Sequence, residues 1–245
     1  MAEQSAISWT DATYNPWIGC TKISPACDNC YAARDNAHRK WVDGWGPGVQ
    51  RRRTKTAKDV LRWNREAYKT NRPLRVFCAS LADVFDNDVD QSWRNDLWQL
   101  VRVTPYIRWI FLTKRIGNAS KMLPPDWPFP NAGLMATIEN QTVWNRDFHK
   151  LMAVPATWHG VSAEPLLGPI NIGDARPDWI ITGGESGATR RTLDMDAVRF
   201  MRDQCHQNGI AFHHKQNGGL RGKDAGCLID GVEHKSFPAA LVAPA

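Results

Sequence analysis

Uninterrupted apolar runs alternate along this chain with polar turns and with stretches whose apolar residues return every three or four positions. Six runs carry the first pattern: Leu74–Ser80, Ile107–Arg115, Ala132–Asn140, Thr157–Pro165, Asp178–Ser186 and Ile210–Gln216. A strand apolar on both faces must be covered on both faces, as in a parallel sheet. The second pattern predicts helices between the runs. One starts from an N-cap at Asp90 and carries Trp93, Leu97, Leu100 and Val101 on one face. Another starts near Asp194, turns Val198, Met201 and Cys205 inward and stops at Gly209. Strands alternating with helices predict βαβ units joined by right-handed crossovers.

The ends of the apolar runs refine this picture. They carry Ser80 with Asp83, Lys114 with Arg115, Glu139 with Asn140, Glu164, Glu185, and Lys215 with Gln216. In a (β/α) barrel the C-terminal strand ends converge on one mouth, where the chemistry sits; an open doubly wound sheet gathers its site at a single switch point instead. The expectation is an α/β fold, a single-domain partial (β/α) barrel, TIM-barrel-like, with parallel strands. It takes residues 1–245 as one domain, with a C-terminal extension from about 219 to 245, and a length of 245 residues suits that reading. The glycines of "TGGESG" do not form a GxGxxG fingerprint and give a dinucleotide-binding domain no support.

Composition adds limits. Hydrophobic residues make up 42% of the chain, yet no run approaches the roughly eighteen apolar residues that a membrane span needs. The start, "MAEQSAISWTDATYNPW", lacks the basic and apolar regions of a signal peptide, so the expectation is a cytoplasmic protein without a membrane partner. In a reducing compartment clustered cysteines point to metal binding or catalysis rather than to disulfides.

Three of the six cysteines fall within the loop spanning residues 17–35, with the spacing Cys20-x6-Cys27-x2-Cys30. The x2 pair lets two thiolates face one centre, and Pro25 bends the longer segment that brings the third around. Structural zinc sites commonly use four ligands arranged as two pairs, and the nearest histidine, His38, is eight residues past Cys30. Three soft thiolates with one position open suit a cubane iron–sulfur cluster. Zinc, and no metal at all, remain the alternatives at this point. Cys78 and Cys205 lie at apolar positions and read as packing residues, and Cys227 stands alone.

The net charge is +6, concentrated in "RRRTKTAK" (residues 51–58) beside the aromatic "WVDGWGPG". Arg51, Arg52, Arg53, Lys55 and Lys58 could hold a phosphate backbone while Trp41 and Trp45 stack on an unpaired base. The structural alternative is a solvated surface helix. The twelve tryptophans suit a core or a cleft lining.

The segments "WTDATYNPWIGCTKISPACDNCYA", "LTKR", "SAEPLLGPI", "ITGGESG" and "HHKQNGG", in this order from about Trp9 to Gly219, together resemble a bacteriophage and bacterial family of unknown function. That family is defined by its three-cysteine motif and looks like an outlying branch of the radical S-adenosylmethionine superfamily. The resemblance implies a partial (β/α) barrel with the cysteine loop after its first strand. It implies a [4Fe–4S] cluster on Cys20, Cys27 and Cys30 whose open iron binds the amino and carboxylate groups of S-adenosyl-L-methionine. Reduction by an external electron donor would then release a 5′-deoxyadenosyl radical that abstracts a hydrogen from substrate, while the protein positions both and keeps water out. The superfamily spacing is x3 then x2 with an aromatic before the third cysteine; here the first gap is x6 and that position is Asn29, so Tyr31 is the aromatic that would pack on the adenine. The Gly-Gly-Glu triplet, which in the superfamily contacts the cofactor's amino group after an early strand, stands late here, and the resemblance makes Gly183, Gly184 and Glu185 candidate cofactor-binding residues.

Charge suggests the remaining roles. Glu139, Glu164 and Glu185 suit the cationic amino group, sulfonium and ribose diol of the cofactor, with Glu139 and Glu164 favoured. Lys114, Arg115, Arg190, Arg191 and Lys215 suit its carboxylate or a substrate phosphate, against the alternative of structural ion pairs. Asp11 and Asn15, just ahead of the loop, read as turn caps. The function expected is a radical enzyme acting on DNA, another nucleic acid or a nucleotide, in repair or modification. The rival readings are a non-catalytic iron–sulfur protein that binds nucleic acid or senses redox state, and a zinc-stabilised interaction protein.

Overall fold

The computed structural model describes residues 5–221 and 224–243. The chain opens with β1 (Ala12–Tyr14) and β2 (Trp17–Ile18), a 3-10 turn (Pro25–Cys27), α1 (Tyr31–Arg39) and β3 (Arg52–Arg53). There follow α2 (Ala57–Thr70), β4 (Leu74–Cys78), α3 (Gln91–Arg102), β5 (Ile107–Thr113), α4 (Ile116–Met122), β6 (Ala132–Thr137), α5 (Gln141–Ala153), β7 (His159–Ala163) and β8 (Trp179–Thr182). The chain continues through α6 (Met195–Gln207), β9 (Ala211–His214), β10 (Leu228–Ile229), β11 (Val232–Glu233) and α7 (Ala239–Val242). Seven strands form one parallel sheet in the order β1-β4-β5-β6-β7-β8-β9. The sheet curls into a half-barrel with helices on its outside, the partial TIM-barrel-like architecture expected from the run pattern.

All six apolar runs are strands, each ending two to four residues earlier than its run, before the polar tail turns into the mouth. The two predicted helices form where their caps put them. Asp90 accepts from the Ser92 N–H at 2.7 Å, and Asp194 accepts from the Asp196 and Ala197 N–H groups, satisfying amides that have no partner inside the helix. The periodicity misses β1, because three residues are too few to show a pattern. The basic run is not one helix: Arg52–Arg53 pair with β2, and α2 begins only at Ala57.

Strand parity divides the core into two layers. Val76, Cys78, Trp109, Phe111, Leu134, Ala136, Val161 and Ile180 face the helices. Their alternating neighbours Phe77, Ile110, Met135, Trp179 and Ile181 face the barrel interior with Trp9 and Trp158. Gly133 makes room there, since a Cβ on it would lie 1.8 Å from the Trp158 ring. The open side between β1 and β9 is plugged by the segment before β1. Its Trp9 packs on Phe77 and edge-on to Trp179, and the Ser8 hydroxyl hydrogen-bonds His213 Nε2 at 2.9 Å. No helix among the described residues is long and apolar enough to cross a membrane.

Candidate active site at the strand C-termini

The inward parity that is apolar low in the barrel becomes polar at its top. Read upward, β5 runs Ile110, Leu112, Lys114; β6 runs Met135, Thr137, Glu139; β7 runs Gly160, Ser162, Glu164. β8 runs Trp179, Ile181, Gly183, Glu185, and β9 runs Ala211, His213, Lys215. Register aligns these rows, with Thr137 opposite Ser162, and Gly160 opposite Trp179. The result is a cavity of about 820 Å³ on the C-terminal edge of the sheet, where barrel chemistry is found. Cys20, Cys27, Cys30 and Tyr31 border it together with Lys114, Glu164, Gly184, Glu185 and Lys215.

The cysteine loop is pinned at both ends. Beside Cys20, Gly19 has φ +114, and a Cβ there would lie 2.9 Å from Arg51 Cδ, so both conformation and space demand glycine. Arg51 donates to Asp86 at 2.9 Å, to Asp88 at 3.0 Å and to the Thr21 hydroxyl at 2.7 Å. Arg115 donates to Asp83 at 3.2 Å, to the Thr21 carbonyl at 2.7 Å and to Cys20 Sγ at 3.5 Å. Burial pushes the Cys20 thiol up to about 11, with the Asp83 carboxylate adding to the rise and Arg115 opposing it.

At the other end the Ser24 hydroxyl caps the turn that holds Cys27. Cys30 occupies the N-cap of α1, where the helix dipole favours negative charge. Glu185 accepts from Asn29 at 2.7 Å and is ion-paired to Arg191, which also reaches Asp28 and the Pro25 carbonyl. Burial alone would raise the Glu185 carboxyl, but hydrogen bonds from the Arg191 side chain and backbone, and from Asn29, hold it below the usual glutamate range.

Each expected residue has a definite place. Glu139 is 1% exposed; its Oε1 accepts from the Ala26 N–H at 3.4 Å, and its Oε2 is buried without a hydrogen-bond partner. Glu164 faces Lys215 at 3.3 Å and accepts from Trp9 Nε1. A Cβ on Gly183 would come within 2.8 Å of that carboxylate, so the glycine admits it. Lys114 reaches only the Thr137 hydroxyl, at 3.4 Å, and has no ion-pair partner among the described residues. Tyr31 donates to the Ser80 carbonyl at 2.7 Å. Asn15 holds the segment after β4 through Leu81 N–H and Ser80, while Asp11 pairs with Arg75 below.

Four expected placements differ from those observed. Arg51 is 3% exposed, its guanidinium engaged inside the fold by Asp86 and Asp88, so it does not present itself to a phosphate backbone. None of Arg51, Arg52, Arg53, Lys55 and Lys58 lines the cavity; Arg53 is engaged by Asp96 and by the Trp93 ring. Of the two tryptophans, Trp45 borders the cavity, and Trp41 lies beneath Arg39 instead. Arg190 and Arg191 border a separate pocket of about 320 Å³. Thr137, Ser162, Trp9 and Arg221 line the main cavity without having been expected. Thr137 and Ser162 were readable, since each stands two residues before a chosen glutamate and shares its face.

Three thiols border one cavity, with the unpaired Ser162 Oγ on its wall, while Glu139, whose Oε2 is also unpaired, stands behind that wall against the lining residue Ala26. Among the described residues no three His, Cys, Asp or Glu side chains converge on the position of a single metal ion. A zinc ion draws its ligands to about 2.3 Å from one point, whereas a cubane takes each thiolate on a different iron.

A family profile described as "Protein of unknown function (DUF5131)" matches residues 4–238. No curated protein matches the chain. Among solved structures, a Cys-to-Ser mutant of spore photoproduct lyase superposes with a TM-score of 0.54 at 12% identity, over 87% of this chain and 78% of that one. A Tyr-to-Phe mutant of the same lyase gives 0.52 at 13% identity over the same shares. A third structure of it, with bound AdoMet and dinucleoside spore photoproduct, gives 0.47 at 12% identity over 81% and 62%. At these identities the likeness is one of fold.

Proposed function

The chain belongs to the DUF5131 family, and from that premise we propose that it is an iron–sulfur enzyme of the radical S-adenosylmethionine type acting on nucleic acid or a nucleotide. One observation carries the reading: Cys20, Cys27 and Cys30 all border one cavity at the C-terminal mouth of a parallel half-barrel. Three thiolates leave one iron of a [4Fe–4S] cluster free for an outside ligand. Held by Cys20, Cys27 and Cys30, such a cluster would supply one-electron reduction of a sulfonium cofactor and so hydrogen-atom abstraction chemistry at this mouth.

The chain's own residues bind, orient and exclude water. The buried, unpaired Oε2 of Glu139 suits the cofactor's ammonium or ribose hydroxyls. Glu164 suits the same groups, with Lys215 balancing its charge. Lys114, beside Thr137 and in register with Ser162, suits an anionic group. Tyr31 offers a ring to the adenine, while Phe77, Leu112 and Trp9 keep the floor dry. Trp45 and Arg221 border the same cavity and suit a base and a phosphate of the substrate. Spore photoproduct lyase, which shares the half-barrel, is seen with AdoMet and a dinucleoside bound, and this parallel supports both ligand classes here.

The test is anaerobic reconstitution, reduction with dithionite and assay for methionine and 5′-deoxyadenosine. Both should form from S-adenosylmethionine, and Glu139→Gln should weaken cofactor binding about tenfold, on the order of 1.4 kcal/mol. A brown protein that neither binds nor cleaves the cofactor would instead support the non-catalytic reading.

A further inference from the structure

Cys20 differs from the other two cysteines in what stands behind it. A guanidinium donates to its sulfur: Arg115 Nη1 lies 3.5 Å from Sγ, and its Nη2 holds the next residue's carbonyl at 2.7 Å. The Arg115 side chain is 8% exposed and locked between Asp83, at 3.2 Å, and Asp86, at 3.8 Å. Asp83 is itself fixed by the Thr113 hydroxyl at 2.7 Å and the Lys114 N–H at 3.1 Å. Arg51 closes the cage through Asp86 and the Thr21 hydroxyl. Among the described residues no comparable cation is hydrogen-bonded to Cys27 or Cys30, whose contacts are the Ser24 hydroxyl, 4.0 Å from Cys27, and the start of α1 at Cys30.

We propose that Arg115 is a positioning residue that tunes the cluster through Cys20, raising its reduction potential by donating a charge-assisted N–H···S hydrogen bond to that thiolate. This rests on the cluster reading above. Hydrogen bonds to the ligating sulfurs and local net charge are among the quantities that set iron–sulfur potentials. In the one-electron couple an electron enters from an external reductant, no bond breaks, and negative charge grows on the cluster and its thiolates. A buried cation aimed at one thiolate stabilises that reduced state more than the oxidised one. The surrounding carboxylates hold the guanidinium in place and stop it from swinging into the cavity toward a ligand's anionic group. The Arg115 expected from sequence to bind substrate or cofactor is thereby assigned to the metal's second layer of contacts.

The experiment is a dithionite titration of reconstituted protein followed by electron paramagnetic resonance, with iron content measured on every sample. Removing Arg115 alone leaves buried Asp83 without its ion-pair partner and endangers folding, so two balanced variants are used. Arg115→Lys keeps the charge but loses the fork that reaches sulfur and carbonyl together. Arg115→Gln with Asp83→Asn keeps the cage's net charge and removes the guanidinium. Both should retain iron, and in both the cluster should be about tenfold harder to reduce, equivalent to 59 mV for a one-electron couple. Equal potentials in wild type and both variants overturn the inference while leaving the cluster reading intact. Loss of iron in both variants makes Arg115 a folding or assembly residue and overturns it too. A wild type that takes up no iron overturns the cluster reading, and this inference with it.

Discussion

The two ends of the cysteine loop are held by the same kind of bond in different surroundings. At Cys20, Arg51 and Arg115 face Asp83 and Asp86 with side chains between 1% and 8% exposed. At Cys27 and Cys30, Arg191 and Asp28 are 35% and 40% exposed, and only Glu185, at 6%, is sheltered. A buried ion pair is costly to form and more costly to break halfway, because the survivor is left charged without water. A half-exposed pair is screened and loses little. The Cys20 end therefore belongs to the core, and the Cys27–Cys30 end is a fastening that can be undone while the barrel stands.

The contrast breaks first at Arg51. Arg51→Met takes from buried Asp86 its hydrogen-bonding cation, leaving only Arg115 at 3.8 Å, and should cost about 3–5 kcal/mol in urea unfolding. A loss under about 1 kcal/mol would mean that the cage is not structural. Next, Arg191→Ala should cost about 1 kcal/mol or less, and the cost should shrink in high salt; a salt-independent cost equal to that of Arg51→Met would erase the distinction. The smallest effect is one of pH. Glu185 titrates lower in the folded chain than in the unfolded one, so its contribution is complete above the ordinary glutamate range. As pH falls through that range the unfolded chain takes up the proton first, and the contribution drains away until the folded carboxyl protonates as well. Glu185→Gln should flatten that part of the metal-free protein's acid-stability curve, and an unchanged slope would contradict the clamp.

The sequence made the barrel legible because buried parallel strands leave continuous apolar runs, and their polar ends mark the mouth. What stayed hidden depends on pairing across long separations. In "RRR" the three arginines look equivalent, yet Arg51 is drawn into a cage of Asp86, Asp88 and Thr21 while Arg52 and Arg53, paired with Ile18 and Trp17, stay exposed. Arg115 meets Cys20 across 95 positions, a contact that no local spacing announces. The Glu185–Arg191 clamp, six residues apart, is nearer to legibility, but its target Asn29 lies 156 positions from Glu185. Ser162 and Thr137 carry no charge, and only strand parity distinguishes them from packing residues.

The most direct test of the account is the iron and acid-labile sulfide content of anaerobically reconstituted protein, compared with the Cys20→Ala, Cys27→Ala, Cys30→Ala triple variant and with Cys78→Ala. The wild type and Cys78→Ala should each hold about four irons and four sulfides per chain, and the triple variant close to none. Equal iron in the triple variant, or zinc without sulfide in the wild type, would contradict it.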